Sequence, residues 1–111
     1  MLLETRNYAG YLIVKVMAER LDAKNAVEFK EQISDIISEG NERILLNLEG
    51  VEFVDSSGLG AIVTCLKKLG GKGELAIYGV KKTVYTMFRL TRMDRVFQIF
   101  PTEELALSQI T

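Results

Sequence analysis

The chain has 111 residues, 48% apolar and 26% charged, with 14 basic and 15 acidic side chains and a net charge of −1. This suits a single domain over residues 1–111, with apolar material for one core and no length for a second. Histidine is absent and Cys65 is the only cysteine, which excludes a histidine-based triad, a cysteine–histidine nucleophile pair, an internal disulfide and an ordinary zinc site within one chain.

Residues 1–7 and 11–17 read as two strands around a turn at Tyr8-Ala9-Gly10. The first is the more polar and is expected at a sheet edge. In the second, Leu12, Val14 and Val16 alternate with Ile13, Lys15 and Met17, the pattern of a strand buried mainly on one face. Asp22 is expected to cap a helix in which Ala26, Phe29, Ile33, Ile36 and Ile37 recur at helical spacing, with Gly40 ending it. The short apolar run of residues 43–48 reads as a central strand.

Phe53-Val54-Asp55-Ser56-Ser57-Gly58-Leu59-Gly60 is the most informative stretch. An apolar β-type run ends in an acid, two hydroxyls and two glycines, and a helical pattern begins. Leu59, Ile62, Val63, Leu66 and Leu69 form its apolar stripe, while Gly60, Ala61, Thr64, Lys67 and Lys68 are expected on the opposite side. Cys65 reads as a small packing residue. Residues 70–73 form a loop, 74–78 a strand broken by Gly79, and Val80, Val84, Met87, Phe88 and Thr91 trace a third helix. A last strand is expected at residues 96–100. Pro101 and Thr102 then open a C-terminal helix, with Glu103 and Glu104 at its positive end. The order β-β-α-β-α-β-α-β-α implies an α/β domain with about four helices on one small mixed sheet.

Several chemistries fail on spacing. Lys72 follows Gly71, but Leu66 stands where a phosphate loop needs its first glycine, and Gly73 stands where it needs Ser or Thr. Gly58 and Gly60 begin a dinucleotide fingerprint whose third glycine is replaced by Val63. Val54 occupies the glycine position of a nucleophile elbow, and no histidine could activate Ser56. Glu52 and Asp55 are poorly placed to share acid–base work. The reading is therefore a non-enzyme without cofactor or metal. No basic cluster exceeds Lys67-Lys68 or Lys81-Lys82, which argues against direct nucleic-acid binding. No apolar run approaches the ~20 residues that span a bilayer and no leader pattern precedes the domain, so a soluble cytoplasmic chain without membrane partners is expected.

Two readings of the Asp55-Ser56-Ser57-Gly58 turn stand side by side. It can be an ordinary helix cap. It can also be a phosphorylation site, because a phosphate brings about −1.5 to −2 charges to a helix start able to accept them.

The element order and the Asp-Ser-Ser-Gly-Leu-Gly motif together resemble the STAS domain of bacterial anti-sigma factor antagonists. Arg20-Leu21-Asp22-Ala23 through Glu28-Phe29 resembles the family's lead-in to its first helix, Leu46-Asn47-Leu48 the strand before its phosphorylation turn, and Phe88-Arg89-Leu90-Thr91 through Val96-Phe97 its late helix-to-strand segment. The resemblance implies partner switching in transcription regulation. The unmodified chain binds an anti-sigma factor that is also a serine kinase and frees a sigma factor. Phosphorylation at Ser56 releases the kinase, and a serine phosphatase resets the cycle. Asp55, Ser57 and Gly58 complete the phosphosite turn. Partner contact is expected at Asp22, Leu59, Gly60, Ala61 and Thr64, on a monomer. The alternative is a STAS scaffold or regulatory subunit of a signalling complex or lipid transporter that acts on no sigma factor. Three positions depart from the family pattern: Glu19 where glycine often precedes Arg-Leu-Asp, Val27 where proline is common, and Arg92-Met93 in place of Gly-Leu.

Overall fold

The computed structural model describes residues 2–109, so the Met1 end of the first predicted strand lies outside the described residues. Strand β1 (Leu3–Tyr8) turns through Ala9 and Gly10 into β2 (Tyr11–Val16). Both turn residues have positive φ, 55° and 84°, the two-residue geometry that matches the twist of a hairpin. The chain continues through β3 (Arg20–Leu21), α1 (Ala26–Ser38), β4 (Arg43–Asn47), β5 (Phe53–Val54), α2 (Ser56–Leu69), β6 (Glu74–Tyr78), α3 (Lys82–Leu90), β7 (Gln98–Phe100) and α4 (Glu103–Gln109).

The main sheet runs β1-β2-β4-β6-β7, with β1 antiparallel to β2 and the other neighbours parallel. As expected, β1 is an edge and β4 is central. Strands β3 and β5 form a separate two-stranded parallel sheet that the sequence reading did not foresee, because two residues are too few to display a period. Two other boundaries moved. The loop at 70–73 contains a 3₁₀ turn over Gly70–Lys72, and β7 begins at Gln98 because Met93–Arg95 form another and leave Val96 exposed.

Alternate positions of the strands feed two cores. Leu12, Val14, Ile44, Leu46 and Ile77 pack against Phe29 and Ile33 of α1, Ile62 of α2 and Phe88 of α3. Ile13, Leu45, Ala76 and Tyr78 point the other way, where Ala106 of α4 meets them. Strand β2 is therefore buried on both faces over most of its length, rather than mainly on one. Phe88 and Phe97 meet edge to face at 5.9 Å, joining α3 to the segment before β7.

Candidate functional site

The small β3–β5 sheet exists to hold the turn that follows it. Leu21 pairs with Val54 and both are buried, while the Glu52 and Phe53 N–H groups donate to the Glu19 carbonyl at 2.7 and 3.3 Å. The Asp55 N–H then donates to the Leu21 carbonyl at 3.2 Å. This fixes Asp55 in extended backbone as the N-cap of α2 (φ −97°, ψ −174°). Its Oδ1 accepts from the Gly58 N–H at 2.9 Å and its Oδ2 from the Ala23 N–H at 3.3 Å. The cap reading is thus correct for Asp55, and one carboxylate ties the helix start to the loop ahead of α1.

Gly58 is required on steric grounds: any Cβ there would drive into the Leu21 carbonyl. Ser56 and Ser57 occupy the first turn of α2 and are both exposed. Neither hydroxyl makes a hydrogen bond to another described residue. Thr64 is also exposed, but its Oγ1 donates to the Gly60 carbonyl at 2.8 Å.

Two grooves flank the exposed ridge of α2. The one toward α1, about 310 Å³, is lined by Val27, Lys30, Ser57, Gly60 and Thr64. The one toward α3, about 390 Å³, is lined by Ser56, Gly60, Val63, Thr64, Met87 and Met93. Gly60 and Thr64 border both, so the ridge is lowest where the side chain is smallest. Leu59 lies on the apolar stripe as expected, whereas Ala61, expected on the opposite side, is buried too; each is only 6% exposed, and they form the floors of the α3-side and α1-side grooves respectively. At α2 the ridge turns Ser56, Gly60, Thr64 and Lys67 outward, four positions at helical spacing, and Ala61 falls to the side that packs on α1.

Asp22 also departs from its predicted role. It does not cap α1, whose N-cap is Asn25. Instead Asp22 closes a local turn: its Oδ1 accepts from the Lys24 N–H at 3.0 Å and its Oδ2 from Arg20 Nε at 3.2 Å. The Lys24 N–H, helped by the Arg20 guanidinium, holds this carboxyl below its ordinary range. Asn25 locks the same loop, accepting from the Asp22 N–H at 3.0 Å and donating to the Arg20 carbonyl at 2.8 Å. Through Ala23 and Asp55, this loop stands beside the Ser56 turn. Arg20, whose guanidinium lies 4.1 Å from the Phe53 ring centroid, and the groove residues Met87 and Met93 were missed from sequence. An exposed aromatic immediately before Val54-Asp55 was the one available signal for Arg20.

Among the described residues no group of three or more Cys, Asp or Glu side chains could hold a metal ion, and no helix is long and apolar enough to cross a membrane. A family model described as the STAS domain matches residues 3–106. The anti-sigma F factor antagonist of Paenibacillus polymyxa is 30% identical, over 97% of this chain and 93% of its own length. An anti-sigma-B factor antagonist of Staphylococcus aureus is 33% identical over 87% of this chain and 90% of its own. The solved structure of an anti-sigma factor antagonist from Mycobacterium paratuberculosis superposes with a TM-score of 0.88 at 22% identity, covering 97% of this chain and 92% of that one, a likeness of fold. A family model matched over residues 3–106, with relatives of 30% identity or more covered over nearly their whole length, leads to one conclusion: the chain belongs to the STAS domain family.

Proposed function

We propose that this chain is an anti-sigma factor antagonist whose unmodified form binds an anti-sigma factor with serine kinase activity, frees a sigma factor, and is switched off by phosphorylation at Ser56. A serine phosphatase restores the binding form. The observation that carries this reading is the exposed, unengaged Ser56 hydroxyl at the start of α2, on the rim of a groove and beside a capping carboxylate. The names of the relatives support the same partner class. Phosphate is expected on Ser56 rather than Ser57 or Thr64. Ser57 lies on the α1 side of the ridge, and the Thr64 hydroxyl is already bonded to Gly60.

The switch is electrostatic. A partner that spans both grooves covers Ser56, so a dianion there is buried next to Asp55 with no cation to pair it. An unpaired charge in an interface costs about 2–5 kcal/mol, or roughly 30-fold to several-thousand-fold in affinity. Titration calorimetry with the anti-sigma factor tests this. Ser56→Ala should bind as the wild type does and resist switching, and Ser56→Asp should bind more weakly, though less so than the phosphorylated chain. Equal affinities for the wild-type, phosphorylated and Ser56→Asp chains would sink the switch and favour a scaffold acting on no sigma factor.

A further inference from the structure

Helices α1 to α3 cover one face of the main sheet, and α4 covers only part of the other. The uncovered part is a cavity of about 520 Å³, a volume in the range of small-molecule sites. A cross-strand row, Glu4–Lys15–Asn47–Tyr78, runs across it. Asn47 and Tyr78 are the last residues of β4 and β6. The cavity therefore lies over the face of the sheet near the carboxyl ends of β4 and β6.

Asn47 is the buried polar side chain of the described residues, 6% exposed. Its Oδ1 accepts from the Glu49 N–H at 2.8 Å, but its Nδ2 has no acceptor among the described residues. No fully buried side-chain atom there lacks a partner, so this nitrogen opens onto the cavity. It is thus an accessible, unengaged donor on an otherwise buried side chain, within reach of whatever occupies the cavity. Lys15, half-buried next to it, has no carboxylate within ion-pair distance among the described residues. By contrast, Arg6 is engaged by Glu103, which also accepts from the Tyr78 hydroxyl at 3.0 Å, so these three form a wall rather than ligands.

The unengaged groups are then two donors, Lys15 Nζ and Asn47 Nδ2, and two carboxylates, Glu4 and Glu49. Such a lining repels a polyanion and suits a molecule bearing one negative and one positive group. We propose that this cavity binds a small zwitterion, an α-amino acid, with its carboxylate on Lys15 and Asn47 and its ammonium toward Glu4 and Glu49. The site is on the opposite side of the sheet from Ser56 and does not depend on the switch.

Titration of the isotope-labelled full chain with each standard α-amino acid, followed by heteronuclear NMR, tests this. At least one should give a saturable shift of the Asn47 side-chain amide and of the Lys15, Glu49 and Tyr78 backbone amides. Lys15→Met, at a half-buried position, and Asn47→Asp, which keeps the acceptor for Glu49 and loses the donor, should each weaken that affinity about ten- to hundred-fold. The decarboxylated amine of the same compound should not bind. The proposal is overturned by the absence of saturable shifts at these residues with every amino acid. It is equally overturned by unchanged affinity in a Lys15→Met chain that keeps the wild-type spectrum elsewhere, or by an amine that binds as well as its parent.

Discussion

At the scale of single residues, two glycines of α2, Gly58 and Gly60, do opposite things on one helix. Gly58→Ala pushes a methyl into the Leu21 carbonyl, and should cost about 1–3 kcal/mol or more in urea unfolding, as overpacking does. Gly60 faces open space, so Gly60→Ala should stabilise by about 0.8–1 kcal/mol through helix propensity, while raising the saddle between the grooves and weakening partner binding in calorimetry. Arg92 stands in the left-handed region at φ 62°, a conformation that glycine adopts without steric cost. Arg92→Gly removes a backbone cost of about 1–2 kcal/mol against a glycine entropy penalty of about 0.5–1 kcal/mol, and should raise stability slightly. Burial pushes the Cys65 thiol up to about 11 from an ordinary 9.0. Its contribution to stability is complete below pH 9 and is lost as pH rises toward 11. Urea midpoints should therefore fall across that window, and by less in Cys65→Ala; Tyr11 and Tyr78, both raised chiefly by burial, extend the decline to higher pH. The sequence disclosed Asp55, Ser56 and Gly58 because turn chemistry is local. It misassigned Asp22 because Asp22 and Asn25 both favour caps, and only the hydrogen bonds to Lys24 and Arg20 show which one the helix follows.

Among the elements, those with a full period were legible: α1, α2, β4 and β6 lie close to where spacing put them. Strand β3 and its pairing with the β-type run at Phe53-Val54 were not, since that pairing is a long-range fact carried by Leu21, Val54 and the Glu19 carbonyl. This small sheet braces the start of α2, so phosphate at Ser56 should leave the helix formed. The helix start favours the new charge by about 0.3–1 kcal/mol, partly offset by Asp55. Circular dichroism should be superimposable before and after modification, and a loss of helical signal would make the switch an order–disorder transition instead. Helix α4 is held by Ala106 and by Glu103, which accepts from Arg6 and Tyr78. Because Arg6 is half exposed, Glu103→Gln should cost only about 0.5–1.5 kcal/mol. It should nevertheless speed hydrogen exchange in α4 selectively, leaving α1 and α2 protected.

Considered as a whole, the molecule separates what must stay constant from what can vary. The floor of the Ser56 region is core: Leu21, Val54, Leu59 and Ala61 are all buried, and changing them endangers folding. The groove walls are different elements, with Val27 and Lys30 on α1 and Met87 and Met93 on α3 or just beyond it, none of them fully buried. Val27 on the α1 wall is exposed, whereas Met87 and Met93 on the α3 wall also pack against the core, and the two walls stand on separate elements on either side of the α2 ridge. If partners dock in these grooves as proposed, duplicated copies of such a gene can drift apart in the company they keep, first at the exposed α1 wall, without altering the turn at Ser56. Insulation between parallel signalling lines in one cell would then be written in methionines and aliphatic side chains at the edges, not in the motif by which such proteins are spotted.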